Sequence, residues 1–168
     1  NAAVIVKHLN PCGIATGKSL FDALKNAWDG DRVSAYGSII ALTKKVDLKT
    51  ASFLKGRFVE VIIAPSFDDD ALEFLKNKSK DLRILETGKL FTSEDKVYKF
   101  LIGGVIEQDR PKGLYEKWEC VTEKKFPDDK KELGLFTIIA TKYTKSNSIV
   151  LGMEYEKGYF KVLGSGVG

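Results

Sequence analysis

Apolar positions fall in short runs separated by stretches with helical spacing, and that alternation predicts a three-layer α/β/α architecture. Residues 3–6 are apolar throughout, as in a strand buried on both faces. Between residues 19 and 28, Leu20, Ala23, Leu24 and Ala27 share one helical face. Ser19 is an N-cap type, Asp22 three positions later approximates a capping box, and Gly30 ends the helix. A second strand follows over residues 38–42, then a short helix capped by Asp47, running to residue 55 and closed by Gly56. Residues 59–64 predict a third strand, apolar except at Glu60.

After Pro65, the acidic run Asp68, Asp69, Asp70 suits the positive end of a helix dipole, so a helix is expected to about residue 78, with a strand over 82–85. Residues 98–108 and 117–122 predict further strands. The charged segment 124–132, which contains Pro127, marks a boundary leading into a helix from 128 to about 143. Two β-rich runs, 148–153 and 159–163, then form a hairpin joined at 154–158.

A chain of 168 residues can build one sizeable core, or one domain and part of a second. No stretch approaches the roughly 20 apolar residues of a membrane-spanning helix. The N-terminus, NAAVIVKH, lacks the basic flank and cleavage site of a signal peptide, so a cytoplasmic protein is expected. Cys12 and Cys120 lie far apart without CxxC spacing, which predicts free thiols and neither a disulfide framework nor a structural zinc site. The net charge of +4 is dispersed among interleaved acidic residues, which argues against nucleic acid and mildly favours an anionic small molecule. The chain opens on a strand pattern without methionine and stops at GSGVG, so it is expected to be a piece of something longer.

The chemistry concentrates in VIVKHLNPCGIATGKS, where a strand ending in Lys7 and His8 leads through a glycine-bearing loop to GKS. A phosphate loop needs GxxxxGK[ST], and GIATGKS is one residue short. A zinc deaminase needs HxE and PCxxC; His8 is followed by Leu9 and Asn10, and Pro11-Cys12 has no second cysteine three residues on. What remains is an imidazole and an ammonium at the C-terminal end of a strand, where open α/β sheets bind ligands. An imidazole can accept a proton near pH 7 and an ammonium can steady a developing oxyanion, a pairing suited to acyl transfer onto a weak amine. The same dipeptide also fits a solvated strand end, and Asn-Pro-Cys-Gly fits a simple turn.

The runs AAVIVKHLNPCGIATG, WDGDRVSAYGSIIAL, FVEVIIAPSF and TKYTKSNSIVL, in this order, resemble the transformylase portion of the AICAR transformylase/IMP cyclohydrolase family over nearly the whole chain. The resemblance implies formyl transfer from 10-formyltetrahydrofolate to the 5-amino group of AICAR, a step of purine (IMP) biosynthesis. It assigns His8 to the proton of the attacking amine, Lys7 to the formyl oxyanion, and Asn147 of the SNS motif to substrate binding and orientation. It places Tyr36 and Gly37 beside the substrate base, where phenylalanine is the usual aromatic, and it brings Glu60 near the substrate. Relatives hold a potassium ion near the SNS motif, which implies Thr144 and Ser148 here.

The same resemblance implies two tandem cytidine-deaminase-like repeats without zinc. Residues 1–123 would form the first, and 124–168 a linker and the start of the second. It further implies a homodimer with AICAR and folate as ligands, and a chain that is incomplete as an enzyme by itself. The alternative of another class is a non-catalytic nucleotide-binding module of the same fold.

Overall fold

The computed structural model describes residues 1–89 and 95–168. A seven-stranded mixed sheet runs in the order β5-β4-β3-β1-β2-β9-β8. Its strands are β1 (Ala2–Lys7), β2 (Asn10–Thr16), β3 (Ser38–Leu42), β4 (Val59–Ala64), β5 (Arg83–Glu86), β8 (Ser148–Glu156) and β9 (Tyr159–Val167). Helices α1 (Leu20–Gly30), α2 (Leu48–Ser52), α3 (Asp69–Lys78) and α4 (Lys131–Lys142) lie between them. Strands β6 (Lys96–Leu101) and β7 (Gly104–Asp109) form a separate hairpin.

Local chemistry explains the starts of α1 and α2. Asp22 N–H donates to Ser19 Oγ at 3.1 Å while Ser19 N–H donates to Asp22 Oδ2 at 3.3 Å, so the expected capping box starts α1. Asp47 caps α2 by accepting Thr50 N–H at 2.8 Å. That helix is shorter than its pattern predicts, ending at Ser52, and turns carry the chain to Gly56 at φ +71°. Two predicted strands require correction. The run over 98–108 is broken at Gly103, whose φ of +86° makes it the turn of the β6–β7 hairpin. Residues 117–122 form no strand and pair with no strand among the described residues; there the Trp118 ring packs against Phe126, 5.2 Å between centroids, and against Gly134 of α4.

The main core lies on one face of the sheet. Ala3, Ile5, Ala15, Ile40, Leu42, Ile62 and Ala64 point to that face and bury against Leu24 and Ala27 of α1, Ala51 of α2, and Ala71 and Leu75 of α3. Helix α4 covers the other face, at the β8–β9 end. Lys161 pairs with Ala15 and reaches Asn26 of α1, whereas neighbouring Phe160 turns oppositely and stacks on Phe136 of α4, 5.7 Å between centroids. Alternation also turns Val4, Val6, Ile39, Ala41 and Ile63 away from α1–α3, and no described helix covers them.

Helix α1 sits close on β2 because position 13 has no side chain. A Cβ built on Gly13 would fall inside contact distance of the Ala27 carbonyl oxygen. Gly13→Ala is therefore expected to lower stability by about 1–3 kcal/mol. The check is the midpoint of urea unfolding; an unchanged midpoint contradicts this packing.

Candidate active site

Lys7 pairs with Asn10, leaving His8 and Leu9 as a two-residue loop between β1 and β2. Both are left-handed, φ +52° and +65°, as the type I′ turn requires. Asn-Gly usually fills such a turn, and a residue with a Cβ costs roughly 1–2 kcal/mol in this conformation. The expected loop after His8 is therefore a strand from Asn10 onward, with the turn two residues earlier than Asn-Pro-Cys-Gly suggests. Pro11, which cannot donate to a ladder, sits beside the bulge between Ile5 and Val6.

The strand directions correct a second expectation. β1 is antiparallel to β3, and β3, β4 and β5 are mutually parallel. The end of β1 that carries Lys7 and His8 thus lies at the amino ends of the parallel strands, opposite the carboxyl-end crevice common in open α/β sheets.

Lys7 is held by a loop rather than by a counter-charge. Its Nζ donates to the carbonyl oxygens of Tyr36 at 2.8 Å and Gly37 at 2.9 Å, and it makes no ion pair among the described residues. An ammonium has three N–H groups, so one is left for a ligand. Gly37 has φ +67° and donates its N–H to Phe58 O at 3.0 Å; a Cβ there would lie 2.9 Å from Lys7 Nζ. Tyr36 stacks on Phe58 with 5.1 Å between centroids and is 66% exposed, so its hydroxyl meets solvent and needs no buried partner.

The cavity beside this pair exists because the sheet splits. β2 and β9 are bridged at Ala15 and Lys161, and β2 from Gly13 back to Asn10 has no partner on that side. The gap, about 450 Å³, has Lys7, His8 and Asn10 at its lip, Cys12 within, residues 163–165 of β9 opposite, and Asp31 and Ser34 at the end of α1. His8 is exposed, and its side chain makes no hydrogen bond or ion pair among the described residues. Burial, and then the Asp31 charge, pushes the Cys12 thiol up to about 11, so it is protonated at neutral pH and unsuited to be a nucleophile. The hydroxyl and N–H of Ser34, with the N–H of Val33, hold the Asp31 carboxyl below its ordinary range. A somewhat larger hollow of about 550 Å³ beside the β6–β7 hairpin contains none of the expected site residues.

Lys7 and His8 thus share one cavity, with Tyr36 and Gly37 holding Lys7. The other expected residues lie at the same end of the sheet but outside the cavity wall. Asn147 precedes β8; its carbonyl accepts Gly168 N–H at 2.8 Å and its Oδ1 accepts from the Ser146 hydroxyl at 3.0 Å. Its segment is tied to the hairpin, since Lys145 N–H donates to Asn10 Oδ1 at 2.9 Å. Glu60 is exposed on β4, beyond β3. Thr144 is buried with its hydroxyl donating to Ala140 O at 2.9 Å, and Ser148 opens β8 opposite Val167. Strands about 4.8 Å apart put β4 and β8, at five spacings, roughly 24 Å from each other, so Glu60 and Ser148 cannot both touch one small ligand. Asp31 and Ser34 went unnoticed in the sequence, although an aspartate three positions before a serine is a capping pattern that could have flagged them.

This is a mixed α/β protein with a polar cavity where two hairpins of its sheet part. The family model described as AICARFT/IMPCHase bienzyme matches residues 1–168, and the chain belongs to that family. It is 44% identical over 152 residues to the bifunctional purine biosynthesis protein PurH of Lactobacillus delbrueckii subsp. bulgaricus, covering 88% of this chain and 30% of that protein. The PurH proteins of Limosilactobacillus reuteri and Caldicellulosiruptor saccharolyticus are 43% identical over 154 residues and 42% identical over 156 residues; these matches cover 88% and 90% of this chain. The chain spans about 30% of the length of these relatives.

Leu9→Gly removes one left-handed penalty at an 83% exposed position and is expected to raise stability by up to about 1 kcal/mol, read as a higher unfolding midpoint. A lower midpoint would mean the turn is not type I′. The thiols give a second check. Cys120, whose thiol is lowered chiefly by its hydrogen bond with the Thr122 side chain, should react with iodoacetamide at pH 8 about tenfold or more faster than Cys12, measured by peptide mass spectrometry. Equal rates would contradict the burial of Cys12.

Proposed function

We propose that the full-length protein carrying this chain transfers a formyl group from 10-formyltetrahydrofolate to the 5-amino group of AICAR in purine biosynthesis, and that Lys7 and His8 carry the chemistry. The observation that supports this most is their convergence: an ammonium with a spare N–H and an unpaired imidazole open on one cavity. As the amino nitrogen of AICAR bonds to the formyl carbon, His8 takes the proton it loses. Lys7 donates its spare N–H to the carbonyl oxygen as negative charge grows there. Breaking the bond from carbon to the folate nitrogen, which regains a proton, leaves formyl-AICAR and tetrahydrofolate. A neutral clamp on Lys7 suits this role, because no carboxylate cancels its charge.

Asn147 would orient the nucleotide from the neighbouring segment, and Tyr36 and Gly37 would lie against its base. Glu60 would act only through a longer reach along the sheet end. Thr144 and Ser148 offer oxygen donors, the kind a potassium ion takes; the ion would fix the segment between them and take no part in proton transfer. The fold part of the reading is a cytidine-deaminase-like repeat over 1–123 and the start of a second over 124–168. Helices on both faces of one α/β sheet, and a junction made mainly through β2, α1 and β9, support it. A homodimer in the cytoplasm completes the proposal, supported by the uncovered apolar face of β1, β3 and β4.

In the full-length protein, Lys7→Ala and His8→Ala should each lower folate-dependent formylation of AICAR by about 10²-fold or more while AICAR affinity stays within about tenfold. Unchanged turnover in both variants would refute the assignment. AICAR binding without any formylation by the unsubstituted protein would favour the nucleotide-binding module instead.

A further inference from the structure

Lys7 owes its position to a loop that joins α1 to β3, and that loop is built around one carboxylate. Asp31 Oδ1 accepts the N–H groups of Val33 at 3.1 Å and Ser34 at 2.9 Å, while its own carbonyl accepts Ala35 N–H at 3.0 Å. Ala35 is fully buried and anchors the loop in the core. Two residues later the chain turns through left-handed Gly37, and the Tyr36 and Gly37 carbonyls emerge 2.8 and 2.9 Å from Lys7 Nζ. The same carboxylate side chain also lines the cavity, with Lys7 and His8.

We propose that Asp31 is a positioning residue: it folds the 31–37 loop so that two carbonyl oxygens hold the Lys7 ammonium at the lip of the cavity. The inference rests on the formyl-transfer reading only for its effect on turnover. Asp31 reaches Lys7 through the loop and makes no ion pair with it among the described residues, so an uncharged oxygen at the same place should serve as well. Asn offers that oxygen and Ala does not. The depressed Asp31 carboxyl agrees with this geometry, since those N–H and hydroxyl groups favour its charged form.

The test uses the full-length protein and two readouts. The first is the rate at which Lys7 is acetylated by limiting acetic anhydride, measured by peptide mass spectrometry. A clamped ammonium reacts slowly, so Asp31→Ala should raise the rate several-fold and Asp31→Asn should not. The second is steady-state formylation of AICAR. A Lys7 misplaced by about 1 Å should cost up to about a hundredfold in kcat with KM nearly unchanged, and Asp31→Asn should recover most of it.

An unchanged Lys7 rate in Asp31→Ala overturns the proposal, as does an Asn variant as impaired as the Ala variant, which would make the charge itself the active feature. If the labelling follows expectation and no form of the protein turns over AICAR, the positioning role stands and the formyl-transfer reading fails. Should Asp31→Ala not fold, Asp31→Glu, which keeps the charge but moves the acceptor oxygens by one methylene from the Val33 and Ser34 N–H groups, carries the same test: a faster-reacting Lys7 supports the proposal and an unaltered one overturns it.

Discussion

The turn between β1 and β2 has two residues, and both take positive φ although neither is glycine. A two-residue turn of this type matches the twist of the strands it joins, so the hairpin can close at Lys7 and Asn10 without splaying. Closure there puts Lys7 on the last paired position of a strand held on both sides, with limited freedom. His8, one residue on, is lifted out of the ladder at the tip. Strain at this point, roughly 1–2 kcal/mol for each residue, is the kind that persists where the surroundings over-determine the backbone. Here β3 on one side and β2 on the other do so.

The cavity follows from an incomplete join between two parts of the sheet. Around the Ala15–Lys161 bridge the seam is well tied: Phe160 N–H donates to Thr16 Oγ1 at 2.9 Å, and the Tyr155 hydroxyl donates to Thr16 O at 2.7 Å. Toward Asn10 it opens. Gly30 permits this closeness at the base, since a Cβ there would meet Val162 O at 3.0 Å. The cavity is therefore a gap between neighbouring strands, bounded by the end of α1, and its charged wall groups, Lys7 and Asp31, come from the end of β1 and from the loop that follows α1.

Much of the fold was legible because periodicity and caps agree. Ser19 with Asp22, Asp47, and the apolar runs of β3 and β4 each specify their element by local chemistry alone, and the structure keeps all of them. β2 was not legible, because Asn, Pro and Gly are turn formers and only the pairing with β1 makes them a strand. The run at 117–122 misled for the opposite reason: its apolar residues look like a strand, but Trp118 spends its surface on Phe126 and α4. At the site, Lys7 and His8 could be picked out as chemistry at a strand end. Which end of the sheet that was, and that the Tyr36 and Gly37 carbonyls would meet Lys7, depended on the antiparallel sense of β1, which no local pattern encodes.

A crystal structure of the full-length protein with AICAR bound would test the central claim most directly. The account predicts His8 and Leu9 still left-handed, Lys7 Nζ still on the Tyr36 and Gly37 carbonyls, and the 5-amino nitrogen of the nucleotide within hydrogen-bonding reach of the His8 ring. A nucleotide seated away from the gap between β2 and β9, or a Lys7 side chain turned out of it, would contradict the account.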